Sequence, residues 1–152
     1  MNRRSAFAMA LFCALPIAPA VSQPAAQAPV QVATTAVTRV TLSRILPGQN
    51  AAFNRDVLEN LIPVWEEFKK AGLITDYAVF SKNSSEGPED WNIGISLSYP
   101  NFAAFDGLGA KTNPITLKHY GTAEKRTAAL NARNQLRTVV SSFLTQRLSY
   151  SR

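Results

Sequence analysis

The sequence predicts one α+β domain in which helices cover one face of a four-stranded antiparallel sheet. Three observations support this: four stretches with strand-like composition, two long stretches with helical periodicity, and the order of these stretches along the chain. The chain has 152 residues, which suits one domain with its own core. Its 46% hydrophobic and 17% charged residues are typical of a globular protein.

The N-terminal segment, residues 1–22, has the pattern of a signal peptide. A basic start, "MNRR", precedes an apolar run, "SAFAMALFCALPIA", which is too short for a membrane span. Small residues end two candidate cleavage motifs, at Ala20 and at Ser22. We therefore expect a periplasmic or secreted protein with no stable membrane anchor after cleavage, and a retained anchor is the alternative. Cleavage also removes Cys13, the one cysteine of the chain.

The next stretch, residues 23–35, is rich in Ala, Pro and Gln and carries no charge. This composition predicts a flexible leader, so that the folded domain spans residues 36–152.

The domain begins with a strand followed by a long helix. "AVTRVTLSRIL" has β-branched residues at close intervals, and Pro47–Gly48 marks a turn. Pro63 lies inside the helical pattern and must kink or divide the helix, because it lacks the N–H that would bond to Glu59. Gly72 is a suitable C-terminal end for this helix, because glycine commonly terminates helices. One apolar stripe predicts the buried side of the helix: Phe53, Val57, Leu61, Trp65 and Phe68.

Two further strands follow the helix. The first is "LITDYAVFSKN", and the second alternates strictly until Pro100 ends it. We expect its apolar side to lie beneath the helices: Trp91, Ile93, Ile95, Leu97 and Tyr99. Its other side carries small residues and is expected to be open: Asn92, Gly94, Ser96 and Ser98. The reverse assignment, with the aromatic side lining a cavity, is the alternative.

The C-terminal part predicts two helices and a last strand. Asn101 is expected to cap a short helix, residues 109–121 are expected to be irregular, and Thr122 is expected to cap a helix over 123–140. That helix has a narrow apolar side, made of Ala128, Ala129, Ala132, Leu136 and Val139. Its arginines share another side, expected to be solvated: Arg126, Arg133 and Arg137. "SSFLTQRLSY" then forms the fourth strand.

This order of elements is the split β-α-β layout of a ferredoxin-like domain. Together with "PG" before the first long helix, "EEFKKAGLI" and "DWNI", it resembles the dimeric α/β-barrel superfamily over Ala36 to Tyr150. The resemblance implies a homodimer whose two sheets form one barrel. Members include haem enzymes, cofactor-free oxygenases and proteins with no known activity, so the resemblance implies no single activity.

Six side chains are candidates for chemistry. His119, the single histidine, could act as a general acid or base or ligate haem, although no second motif supports this and the sequence favours an ordinary loop or helix-end histidine. Tyr99, Tyr120 and Trp91 could line a ligand pocket, and Lys118 and Arg133 could contact an anionic ligand.

Several functions lack support in the sequence. It contains no nucleophile motif, no P-loop and no dinucleotide-binding glycine pattern. The acidic "EGPED" fits a solvated turn better than a metal site, and no metal site is expected. Nucleic acid is not an expected partner, since no basic-aromatic motif is present.

The sequence therefore predicts an exported homodimer that binds a small molecule, and leaves open whether it is an enzyme. No cofactor is expected, with haem as the alternative. An oxygenase-type enzyme that uses His119 or a pocket tyrosine is a second hypothesis. The third is an interaction module that uses the basic last helix, since residues 107–152 contain 8 basic residues and 1 acidic residue.

Overall fold

The computed structural model describes residues 31–84 and 86–151. The predicted signal peptide, residues 1–22, and most of the predicted leader lie outside the described residues. The first strand begins at Gln31, ahead of the predicted boundary at Ala36, because its pairing with the last strand continues to Gln31 opposite Ser151. No helix in the described ranges is both long and apolar enough to span a membrane.

The strand order identifies the fold. The sheet has the order β2-β3-β1-β4 with antiparallel neighbours throughout, which confirms the predicted ferredoxin-like class. The elements are β1 (Gln31–Ile45), α1 (Asn50–Asp56), a π-helical turn (Val57–Leu61), α2 (Ile62–Lys70), β2 (Asp76–Ser81), β3 (Ile93–Tyr99), a 3₁₀ turn (Phe102–Phe105), α3 (Leu108–Tyr120), α4 (Ala123–Leu136) and β4 (Arg137–Ser151).

The first helical stretch is divided, as Pro63 predicts. The π-helical turn separates α1 from α2 just before Pro63, whose missing N–H cannot complete an α-helical ladder. Gly72, with φ of +69°, ends α2 in the left-handed conformation that glycine adopts without strain.

The core lies between the helices and the predicted apolar side of β3. Ile95 and Tyr99 are buried there, and Ile93 and Leu97 pack against the same cluster. The remaining buried members come from β1, the helices and the connection to β2: Ile45, Phe53, Val57, Trp65 and Ile74.

Trp91 does not share that side, contrary to expectation. β3 begins only at Ile93, and the Asn92 side chain accepts a hydrogen bond from the Ile45 N–H at 2.9 Å, which ends the alternation before Trp91. The Trp91 ring lies 5.9 Å from the ring of Phe80, which pairs with Gly94 on the other side of the sheet.

The other side of the sheet, here called the open face, is not covered by helices. It is more apolar than β3 alone predicts, because Phe80 and Phe143 from the two edge strands are 37% and 43% exposed on it. The ladder register assigns these residues to it: Thr38, Val40, Leu42, Ala78, Phe80, Gly94, Ser96, Ser98, Phe143 and Thr145.

The segment expected to be irregular is mostly the helix α3, so that prediction is wrong. Pro114 lies within α3, where it removes one backbone hydrogen bond. Contacts with α2 and α4 offset this loss, since tertiary packing supplies most of a helix's stability. The two predicted caps are confirmed: Asn101 accepts from the Ala104 N–H at 3.1 Å, and Thr122 from the Lys125 N–H at 3.2 Å.

The last helix ends earlier than predicted and packs through a different side. It stops at Leu136, and the β-branched residues 138–140 belong to β4. Ala128 and Ala132 of the predicted apolar side are exposed, whereas Arg133 is buried. Long arginine stems can be buried when partners meet the charged end, and Asp56 on α1 is such a partner.

Candidate functional site

The predicted site residues line four separate pockets instead of one. Tyr99 lines a cavity of about 610 Å³ between the sheet and α3, the sheet-side pocket. Tyr120 and Arg133 line a cavity of about 450 Å³ among α2, α3 and α4, the helix pocket. Lys118 and His119 line a groove of about 490 Å³ between α2 and α3, the His119 groove. Trp91 lines a fourth pocket, of about 350 Å³, near the β2–β3 connection.

The sheet-side pocket is built on the pairing of β1 with β3. Arg39 lies opposite Leu97 in the ladder, and Tyr99 follows two residues later, so all three point to the helix side. Apolar side chains close the other walls. The complete lining is Arg39, Phe68, Leu97, Tyr99, Phe105, Leu108, Gly109 and Thr112.

Tyr99 brings an unpaired polar group to this pocket. The residue is 3% exposed, and its ring lies 4.5 Å from the ring of Phe105. Its hydroxyl has no hydrogen-bond partner among the described residues, and this oxygen is not fully buried, so it is accessible from the pocket. Burial raises the pKa of Tyr99 and the Arg39 charge partly opposes this, so the phenol remains a donor at neutral pH.

Arg39 is a cation without a carboxylate partner in the described part of the chain. Its guanidinium carbon lies 5.1 Å from the ring centre of Phe105 and 5.7 Å from that of Tyr99. Aromatic faces attract the cation but leave its N–H groups able to bind an anion. Sequence reasoning missed Arg39. Arg39 alternates with Val37 and Thr41, so the three side chains lie on the same side of β1. The ladder shows that this side of the sheet carries the apolar residues of β3.

Arg133, by contrast, is committed to other side chains of this protein. Its Nε donates to Asp56 Oδ2, and its Nη2 donates to Asp56 Oδ1 at 3.2 Å and to the Tyr120 hydroxyl at 3.3 Å. Burial lowers the pKa of Arg133, but its hydrogen bonds to Asp56 and Tyr120 outweigh burial and raise the pKa overall. Arg133 therefore serves the structure and leaves the recognition of an anion to other groups.

The side of α4 that bears the arginines faces inward, contrary to expectation. Arg137, the first residue of β4, donates through Nη1 to the Ser43 hydroxyl at 3.4 Å, and its Nε is buried without a partner among the described residues. Burial lowers the pKa of Arg137, and the nearby positive charge of Arg133 adds to this effect. Arg133 and Arg137 are thus withdrawn from the basic surface that the interaction-module hypothesis uses, whereas Lys118, Lys125 and Arg147 remain exposed.

His119 does not lie where haem would fit. It is exposed in the last turn of α3, 3.3 Å from Asn60 Oδ1 and with its ring 4.7 Å from that of Tyr120. A haem needs an apolar slot for its ring faces, but the His119 groove carries four further charged side chains: Glu66, Glu67, Lys70 and Lys118. Residues 31–84 and 86–151 contain no group of three or more His, Cys, Asp or Glu side chains that could hold a metal ion.

The charged side chains at the pocket beside Trp91 already form ion pairs. Lys82 pairs with Asp90 at 2.5 Å, and Arg44 pairs with Glu89 at 2.5 Å. The Lys82 ammonium also lies 5.4 Å from the Trp91 ring centre. Trp91 therefore contributes packing at the end of the sheet, and the sheet-side and helix pockets remain the candidate binding sites.

Comparisons with known proteins give structural matches only. No family model matches the chain, and no curated protein matches it. HapK from Hahella chejuensis is 14% identical, with a TM-score of 0.48, over 73% of this chain and 91% of that one. A dimeric ferredoxin-like protein from an uncultured marine organism is 10% identical, with a TM-score of 0.47, over 79% of this chain and 91% of that one.

A third similar structure is a dimeric protein of unknown function and ferredoxin-like fold from Bacteroides fragilis. It is 15% identical, with a TM-score of 0.39, over 74% of this chain and 94% of that one. The marine and Bacteroides fragilis proteins are described as ferredoxin-like, and the strand order of this chain shows that fold independently. Identities and TM-scores this low carry no inference about activity or assembly.

Proposed function

We propose that the chain is an exported homodimer that binds a small organic anion in the sheet-side pocket. One observation carries the proposal: the hydroxyl of Tyr99, a residue 3% exposed, has no partner among the described residues and lines a cavity next to Arg39. The hydroxyl oxygen is not itself fully buried, so it is accessible from the pocket and can donate a hydrogen bond to a ligand there.

The chemistry of the pocket favours an aromatic or branched carboxylate. Arg39 offers a cation with planar donors that match a carboxylate, and Tyr99 offers one neutral donor. Phe68, Leu97 and Phe105 supply apolar walls for the remainder of the ligand. Few polar groups in a mostly apolar cavity are typical of small-molecule sites.

Calorimetric titration with a panel of aryl carboxylates, including benzoate and phenylacetate, tests this part of the proposal. Arg39→Gln and Tyr99→Phe should each weaken binding about tenfold, since hydrogen bonds to a charged group contribute about 1.5–3 kcal/mol. Arg55→Gln is the matched control, because Arg55 is exposed on α1 and lines none of these pockets. Equal affinities in all three variants would contradict the proposed site.

The open face supports the homodimer. Its centre combines apolar side chains with hydroxyls and carries no charge. The register places Asp76 and Arg44 at its margins. Phe80 and Phe143 expose over a third of their surface on it. An uncharged face with apolar groups can meet a second copy of itself without like-charge repulsion, in the two-fold arrangement that homodimers favour.

Sedimentation at matched concentrations tests the dimer. The wild type should sediment as a dimer and Ser96→Arg as a monomer, because two symmetry-related arginines would meet near the centre of the open face. Ser142→Arg is the matched control, since Ser142 is exposed on the opposite side of the sheet. A monomeric wild type contradicts the assembly, and a dimeric Ser96→Arg variant contradicts this face.

A further inference from the structure

We infer that the helix pocket is a second ligand site, which takes an amphipathic monocarboxylate such as a medium-chain fatty acid. It is separate from the sheet-side pocket, with which it shares Phe68 alone. The inference does not depend on the proposed function. The lining is Leu61, Val64, Trp65, Phe68, Thr116, Tyr120, Arg126, Thr127, Leu130 and Arg133.

One half of the helix pocket is apolar. Leu61 at the end of the π-helical turn and three side chains of α2 form it: Val64, Trp65 and Phe68. Leu130 of α4 lies across from them and is 48% exposed, although a large apolar side chain gains from burial. An alkyl chain in this half would cover Leu130 and the apolar side of α2 together.

The other half offers a cation without a counter-ion. Arg126 Nη1 donates to Asn113 Oδ1 at 2.5 Å and to Thr116 Oγ1 at 3.2 Å, and both acceptors are neutral. No carboxylate lies within ion-pair distance of Arg126 in the described part of the chain. These neutral acceptors hold the guanidinium at the pocket and leave its charge available to an anion.

Tyr120 adds a donor beside this cation. Its hydroxyl oxygen accepts from Arg133 Nη2 at 3.3 Å, while its own proton has no acceptor among residues 31–84 and 86–151. Arg133 already pairs with Asp56, so it positions Tyr120 and does not compete for the ligand. Arg126 and the Tyr120 hydroxyl thus both line the helix pocket, and a cation together with an O–H donor suits a carboxylate.

The helices around the pocket leave room for a ligand. No residue of α3 is buried, and Arg133 is the one buried residue of α4. The helix pocket, of about 450 Å³, opens to solvent at this junction, and an alkyl chain bound there would cover its apolar lining.

Tryptophan fluorescence can report on this pocket alone. The chain has two tryptophans, and Trp65 lines the helix pocket whereas Trp91 lies elsewhere. In a Trp91→Phe background, titration with hexanoate, octanoate and decanoate below their micellar concentrations should give a saturable change. Affinity should rise about fifteenfold for each two methylenes added, because each buried methylene contributes about fourfold.

Four variants in this background separate the inference from its alternatives: Arg126→Gln, Arg126→Lys, Lys125→Gln and Arg39→Gln. Arg126→Gln should weaken decanoate binding about tenfold or more, Arg126→Lys should largely restore it, and the exposed neighbour change Lys125→Gln should have no effect. No saturable change in the background chain, or equal affinity in Arg126→Gln and Lys125→Gln, would overturn the inference. A loss on Arg39→Gln with none on Arg126→Gln would place the ligand in the sheet-side pocket and also overturn it.

Discussion

Arg133 of α4 and Asp56 of α1 form an ion pair across the helical layer, with side-chain exposures of 8% and 13%. Two guanidinium nitrogens donate to the two carboxylate oxygens, and Asn60 donates to the same carboxylate at 2.9 Å. The pair joins the last helix to the first and orients Tyr120 at the helix pocket.

The first prediction concerns this ion pair. Asp56→Ala should lower the free energy of unfolding by about 3–5 kcal/mol, because it leaves the Arg133 charge buried without a counter-ion. The double change Asp56→Leu with Arg133→Met should be milder than Asp56→Ala, since it removes both charges. Urea unfolding measures both values, with Glu59→Ala on the exposed side as the control. If Asp56→Ala lowers the free energy of unfolding no more than Glu59→Ala does, the result would contradict the buried ion pair.

The ion pair also shows where sequence reasoning ended. The strands and the first helix were predictable, because alternation and a stripe such as Phe53–Val57 are local signals. Arg133, Arg126 and Arg137 looked like a solvated side, because their partners lie far away in sequence; Asp56 precedes Arg133 by 77 positions. Burial of a charge depends on such distant partners, and no local pattern reveals them.

The same limit applies to the candidate site. Tyr99 was predictable as an inward tyrosine that lacks an evident partner, whereas Arg39 became visible only when pairing placed it opposite Leu97. α3 was missed because Gly109 and Pro114 both disfavour a helix, and the packing that overrides them is tertiary.

A second prediction concerns the close contact of Gly94 with Phe80. A Cβ atom at Gly94 would lie 2.1 Å from the Phe80 ring, so Gly94→Ala must displace the ring from the open face. We expect Gly94→Ala to lower stability, and Phe80→Ala to remove most of that cost. A double-mutant cycle measured by thermal unfolding tests this, and additive effects of the two changes would contradict the contact.

The third prediction concerns the ionisation of Tyr99. Burial raises its pKa above the ordinary 10.0, so folding stabilises the neutral phenol. The stability from this shift is fully present below the ordinary value and is lost as pH rises through the raised one. The hydrogen bond to Glu66 also raises the pKa of Tyr77, so the experiment uses a Tyr77→Phe background. Alkaline titration of the tyrosinate absorption in that background should show a late component that disappears when Tyr99→Phe is added. The same late component in Tyr99→Phe would contradict the assignment.

The fourth prediction concerns export, which we propose from the sequence of residues 1–22. The mature chain should begin at Val21 or Gln23 when the protein is recovered from the periplasm or the medium. Intact-mass measurement decides this. A chain that retains Met1, or that carries a lipid on Cys13, would contradict the cleavage.

The central claim is that Arg39 and Tyr99 hold an organic anion in the sheet-side pocket. Native mass spectrometry of protein purified from its own organism tests it most directly. We predict that the wild type retains a small-molecule adduct, which is lost in Arg39→Gln and in Tyr99→Phe but kept in the exposed control Arg55→Gln. A wild type without an adduct, or an adduct that persists in both pocket variants, would contradict the claim.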